Sequence, residues 1–191
     1  VLGIWDTETA RDDGQLVSLV LRLLGMKPTW SSSPSAGADG KKLKETPEYE
    51  ELEDMYRPDG WNKTRIDVVV VLDGNFRDLY SRQVGLMDKA FRIALARSYY
   101  TIINNKTLTD RYGDDLINGI NAVMDTIGYY GISDESLEDN AVANNWIKDF
   151  EYYMSIDMTA EQAAESAISR IFAPPDQDYG AMISQAVRQS W

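Results

Sequence analysis

Residues 1–5 form a short, β-prone apolar run, and the polar residues 6–13 that follow predict a loop. Over residues 15–24 the side chains Leu16, Val17, Leu19, Val20, Leu21, Leu23 and Leu24 nearly encircle a helix, which is therefore expected to be well buried. Gly25 is its natural stop. Residues 27–30 read as a second strand, so strand, helix and strand suggest a βαβ unit with a right-handed crossover. Residues 31–44 are rich in Ser, Gly, Ala and Lys and almost devoid of apolar side chains, the pattern of a mobile surface loop. A helix is predicted over 46–56, with Thr46 as N-cap, Pro47 in the first turn and acidic residues crowding the positive end of the dipole. Pro58 and Gly60 end it.

Residues 66–72 are nearly continuous β-branched side chains, as in a parallel strand covered on both faces. From the segment 73–78 a helical pattern runs to about residue 103, with Gly85 expected to break it. Further helical patterns cover 116–127 and 136–156. The second is rich in Trp and Tyr, and Trp146, Tyr152 and Tyr153 read as a packing face. Thr159 and Gln162 fit a capping box that opens a helix to about residue 169. Residues 170–172 fit a short strand, ended by Pro174 and Pro175, and a last amphipathic stretch stops at Trp191. The fold class is α/β in one domain: a small, mostly parallel sheet with helices on both faces and a helix-rich part from 104 to 191. Ligands of such sheets sit beyond the carboxyl ends of the strands. That position holds residues 6–9 and 73–78.

Charge and composition narrow the chemistry. The 191 residues include 31 acidic and 19 basic side chains, a formal charge of −12. This argues against a nucleic-acid surface, which needs Lys and Arg in excess. Histidine and cysteine are both absent. The chain therefore supplies no Ser-His-Asp triad, no thiolate or imidazole metal ligand, no iron–sulfur cluster and no disulfide. No stretch approaches the roughly 20 apolar residues of a membrane span, and the start is not signal-like; the parent is expected to be cytoplasmic, with export left open, since a leader or anchor on a longer parent would lie outside this chain. The chain opens at Val1 inside an apparent strand, which suggests a piece of something longer.

Ile4-Trp5-Asp6-Thr7-Glu8 through Gly14-Gln15, then Leu24-Gly25-Met26-Lys27-Pro28, resembles the W-G-T-D-N … G-E … L-G-V-R-P stretch of the large subunits of cobaltochelatase and magnesium chelatase. Arg65-Ile66-Asp67-Val68-Val69-Val70 with Gly74-Asn75-Phe76-Arg77-Asp78-Leu79-Tyr80 is similar to that family's R-I-D-V-V-V … S-G-x-F-R-D-x-F. Leu86-Met87-Asp88-Lys89-Ala90, Asn145-Trp146-Ile147-Lys148, Arg170-Ile171-Phe172 and Tyr179-Gly180 continue the likeness in family order. The resemblance implies an internal segment of a much larger, tetrapyrrole-binding subunit. There a divalent metal, cobalt or magnesium with cobalt favoured, is inserted as substrate. ATP is used by separate AAA+ motor subunits, and no P-loop motif occurs here. The isolated chain is expected to be inactive. Asp6, Glu8, Thr9, Gln15 and Phe150 stand where the family has Gly, Asp, Asn, Glu and often His. These departures motivate an alternative, a non-catalytic tetrapyrrole-binding or scaffold module of the same fold.

Metal insertion needs loosely held oxygen or nitrogen ligands, a base for two pyrrole protons and groups that grip the ring periphery. Glu8 and Asp73 are the candidate bases and metal ligands. Arg77 suits a ring carboxylate, because a guanidinium binds one bidentately. Trp5 and Phe76 offer ring faces, and Thr7, Gly74, Asn75, Arg170 and Tyr179 complete the substrate-binding candidates. Each has a plainer reading. Asp6 and Asp73 suit turns or helix caps, and Arg77 with Asp78 suits an ion pair. Trp5 suits the core, Gly74 suits a positive φ, and Arg170 and Tyr179 suit a tie from the last helix to the sheet. The acidic residues Glu48, Glu50, Glu51, Glu53 and Asp54 read as a solvated helix face.

Overall fold

The computed structural model describes residues 1–26, 30–31, 42–43 and 64–173. The helix expected over 46–56 and the amphipathic stretch beyond Pro174 lie outside these residues.

Three parallel strands form the main sheet: β1 (Leu2–Ile4), β4 (Val70–Leu72) and β5 (Ile171–Phe172), with β4 in the centre. Leu2 is in register with Val70, and Val70 with Ile171. The strand expected over 66–72 is reduced to its last three residues, whose side chains are all buried, as in a strand covered on both faces. The second strand of the expected βαβ unit takes a different place. β2 (Trp30–Ser31) pairs antiparallel with β3 (Lys42–Leu43) in a separate two-stranded ribbon, within the segment read as a mobile loop. Sequence pattern identifies a strand but not its partner, and here the partner of β1 lies 68 residues on.

Residues 6–13 are also not a loop. α1 (Asp6–Arg11) follows β1 after one extended residue, Trp5. The turn after it is closed by Asp12 Oδ1, which accepts from the Gly14 and Gln15 N–H groups at 2.9 and 3.2 Å. α2 (Gln15–Leu23) then buries Val17, Val20 and Leu21 and stops at Gly25, whose φ is +76°. A side chain at Gly25 would also collide with the Arg65 guanidinium, so two independent constraints select glycine there.

After β4 come α3 (Gly74–Leu79) and α4 (Ser81–Ala96). Gly85 does not break α4; a Cβ there would meet nothing, and the helix passes through it. The interruptions fall at Tyr80 and at Ser98. α5 (Tyr99–Ile103), α6 (Lys106–Tyr112) and α7 (Asp114–Asp125) follow, then α8 (Ala141–Ser155) and α9 (Ala160–Ile168). Thr159 and Gln162 form the expected capping box of α9. Asn140 caps α8 and also donates Nδ2 to Ala94 O at 2.6 Å and Ser98 Oγ at 2.9 Å, so this buried amide is satisfied.

The core runs from Ile4, Leu21, Val70, Leu72 and Phe76 through the buried face of α4 to α7, α8 and α9. Trp146 stacks on Phe150 at 5.1 Å and donates Nε1–H to Ala164 O at 3.1 Å. Its packing role is as read from sequence, whereas Tyr152 of the same helix is exposed. α9 presents Ala160, Ala163, Ala164 and Ala167, small enough to lie close against α7 at Gly119.

Candidate functional site

The carboxyl ends of β1 and β4 lie side by side, so the starts of α1 and α3 converge there. Asp73 joins them. Its Oδ1 accepts from Phe76 N–H at 2.6 Å as the N-cap of α3, and its Oδ2 accepts from Asp6 N–H at 3.3 Å at the start of α1. Its own N–H donates to Ile4 O at 3.3 Å. A buried carboxylate is stabilised by such backbone donors. Asp6 turns back on its own helix, with Oδ1 accepting from Thr7 N–H at 2.7 Å.

Around this junction the candidates divide. Thr7, Glu8, Asn75 and Arg77 are exposed at the starts of the two helices. Arg77 Nε donates to Asp78 Oδ1 at 3.0 Å, the local ion pair anticipated from sequence. Trp5 departs from its expected core position. It is 45 % exposed, and its Nε1 lies 3.5 Å from where a Cβ of Gly3 would sit, so the indole folds back over the glycine of β1. Gly74 has no positive φ; it is the first residue of α3, where a Cβ would meet nothing. Phe76 is fully buried and stacks on Tyr80 at 5.0 Å, so it presents no face to a ligand. Its aromatic signal reflects core packing.

Arg170 lies at the other end of the sheet. It immediately precedes β5, and its Nε donates to both oxygens of Asp67 at 3.1 Å, three residues before β4. Nη1 donates to Ala167 O at 2.6 Å, and Nη2 faces Asp149 Oδ2 at 2.9 Å. Asn145 Nδ2 donates to Asp67 Oδ2 at 3.0 Å. The six residues from Asp67 to Asp73 span about 20 Å of extended chain, which separates Arg170 from the Asp73 junction. Arg170 is thus the tie between the last helices and the sheet. Tyr179 lies outside the described residues.

The sequence reading passed over Asp67 and Asp149 as polar partners. One signal was available for Asp67: an acid within an otherwise apolar, β-prone run of sequence calls for a polar or cationic partner. Burial pushes the Asp149 carboxyl above its usual value, against the pull of Arg170 beside it, and the nearby Asp67 charge adds to the rise.

Among the described residues, no three acidic side chains gather into a group able to enclose a metal ion. Among the same residues, no helix is long and apolar enough to cross a membrane.

The chain matches the family described as CobN/Magnesium Chelatase over residues 2–191. It is 33 % identical over 92 residues to the chloroplastic magnesium-chelatase subunit ChlH of Oryza sativa subsp. indica, covering 48 % of this chain and 6 % of that protein. It is 30 % identical over 89 residues to the aerobic cobaltochelatase subunit CobN of Pseudomonas aeruginosa, covering 47 % of this chain and again 6 % of the relative. An uncharacterised protein of Methanocaldococcus jannaschii is 32 % identical over 90 residues, also with 6 % of its length covered. The matched stretch is therefore a small part of each relative's length. By the match along its whole length, this chain belongs to the CobN/magnesium chelatase family.

Proposed function

We propose that the chain is part of the tetrapyrrole-binding large subunit of an ATP-dependent metal chelatase. That subunit inserts a divalent metal, cobalt by preference, into a corrin-type or porphyrin ring. The family match over residues 2–191 carries this reading. The relatives named as magnesium-chelatase and cobaltochelatase subunits support it. ATP is consumed by motor subunits outside this chain, and the parent is cytoplasmic.

In this reading the junction at the ends of β1 and β4 faces the macrocycle. Glu8, exposed on α1, is the base or transient metal ligand. Trp5 offers a half-exposed indole to the flat ring, and Arg77 pairs with a peripheral carboxylate. Thr7, Gly74 and Asn75 border the same edge. Asp73 acts mainly by holding the two helix starts in register, since both its oxygens already accept backbone N–H groups.

The test uses the full-length parent with its motor subunits, ATP and a metal-free macrocycle, followed by the absorbance change on metal insertion. Cobalt and magnesium are run in parallel. Insertion with wild type, and its loss with Glu8→Gln while macrocycle binding persists, is the expected result. Absence of both binding and insertion overturns the reading. A second reading, a non-catalytic binding or scaffold module, is favoured by the engagement of Asp73 as a cap. Macrocycle binding without turnover in the wild-type assembly would select it.

A further inference from the structure

An aspartate followed by glycine is a weak point of any polypeptide, because glycine leaves its own nitrogen sterically open. One such pair, Asp73-Gly74, sits at the centre of the junction between β1 and β4. In the reaction the Gly74 nitrogen attacks the Asp73 carboxyl carbon. The carboxyl hydroxyl leaves with the nitrogen's proton as water, and a five-membered imide forms. Water then opens the ring at either carbonyl. One opening restores aspartate. The other leaves isoaspartate, with the chain running through the β-carbon and the free carboxylate on the α-carbon. Nothing crowds the attacking residue, since a Cβ on Gly74 would meet no atom within 4 Å.

What restrains the pair is the geometry of Asp73. Ring closure needs the Gly74 nitrogen nearly eclipsed with Asp73 Cβ, whereas the backbone there is extended, with φ −78° and ψ 162°. The carboxylate is also held at both oxygens, by Phe76 N–H at 2.6 Å and by Asp6 N–H at 3.3 Å. These two donors differ in kind. Phe76 belongs to α3, which has only six residues, and so short a helix is marginal by itself. The cap it supplies frays with its helix. The Asp6 N–H comes from 67 residues away in sequence, at the start of α1, and ties Asp73 to a second element. Two comparable pairs lie elsewhere: Asp13-Gly14 in the turn after α1, and Asn118-Gly119 inside α7, where the Gly119 nitrogen belongs to the helical ladder.

We propose that Asp73-Gly74 is a latent isomerisation site, locked by the hydrogen bond from the start of α1 to the Asp73 carboxylate. Isoaspartate at this position puts one extra methylene into the chain between β4 and α3. Its carboxylate, now attached directly to the α-carbon, no longer spans the Phe76 and Asp6 N–H groups. α3, with Asn75 and Arg77, then loses its register with α1. The product is a substrate for an isoaspartyl methyltransferase, which recognises that displaced carboxylate. The inference concerns the junction itself and stands apart from the chelatase reading.

The test stores the native full-length parent at neutral pH, digests it with trypsin and follows isoaspartate in the peptide 66–77 by isoaspartyl methyltransferase labelling and mass spectrometry. Position 73 should isomerise roughly tenfold or more slowly than in a synthetic peptide of the same residues. Asp6→Pro deletes the N–H donor at the first position of α1, where proline is well tolerated. Trp5 before it is already extended, with φ −112° and ψ 146°, as a residue preceding proline must be. This variant should isomerise at Asp73 several-fold faster than wild type. Asp6→Ala keeps the backbone donor and should match wild type. Isomerisation of wild type at the peptide rate overturns the proposal. So does an Asp6→Pro protein as protected as wild type, because the local cap would then suffice. A rise shared by Asn118 overturns it too, because loss of the whole fold would then be the cause.

Discussion

Asp67 and Asp149 share one buried guanidinium on unequal terms. Asp67 receives Arg170 Nε on both oxygens, whereas Asp149 Oδ2 meets Nη2 at 2.9 Å without hydrogen-bond alignment. Burial raises the Asp149 carboxyl, Arg170 opposes the rise, and Asp67 adds to it. A carboxyl raised in the folded state binds its proton more tightly there. Its contribution to stability is full below the ordinary carboxylate value and is lost as pH climbs through the raised one. Asp149→Asn should therefore raise the thermal midpoint near pH 7, and the gain should vanish below about pH 3, as calorimetry would read. Asp67→Asn should lower the midpoint, since Arg170 Nε donates to both oxygens of Asp67. Breaking the buried pair costs about 3–5 kcal/mol. At the other end of the sheet, Asp73→Ala removes a helix cap and the tie to α1, and should cost about 1–2 kcal/mol in urea unfolding. If that substitution left stability unchanged, the carboxylate would be held for chemistry alone.

Between elements, α7 lies close against α9 at Gly119. A Cβ on Gly119 would lie 3.0 Å from Ala160 O and Phe150 Cε2 and 3.2 Å from Ala164 Cβ. Gly119→Val should push the helices apart and cost about 1–3 kcal/mol, with near-ultraviolet circular dichroism of Trp146 reporting the loosened contact. Elements whose cause is local were legible in the sequence. The β-branched run became the central strand, Gly25 stopped α2, and Thr159 and Gln162 formed their capping box. α1 was missed because it opens on the weak helix formers Asp6 and Thr7, with Thr9 following, and has no apolar period, while the structure holds its start through Asp73. Gly85 was misread because an exposed helical glycine costs only about 1 kcal/mol relative to alanine. The candidate site was legible in the same uneven way. The strand-end position of residues 6–9 and 73–78 follows from topology. Burial does not: Phe76, read as a ring platform, is a core side chain, and of the two readings of Arg170, ligand contact or tie to the sheet, its bonds to Asp67 match the second.

Among the described residues, the helices α4 to α9 pack with a three-stranded sheet. Without residues 170–191 the chain would keep α4 to α9 but lose Arg170 and the strand beside β4. That truncation should retain most far-ultraviolet helical signal while exposing Val70 and Leu72, and so bind a hydrophobic dye that the intact chain excludes. The strand order also sets a timetable for synthesis. Leu2 pairs with Val70, and Val70 with Ile171. A ribosome adding about 5–20 residues per second leaves β4 waiting roughly 5–20 s for its second neighbour. During that interval a strand with all three side chains meant for the interior has only one edge occupied, and a nascent-chain chaperone would find its target there.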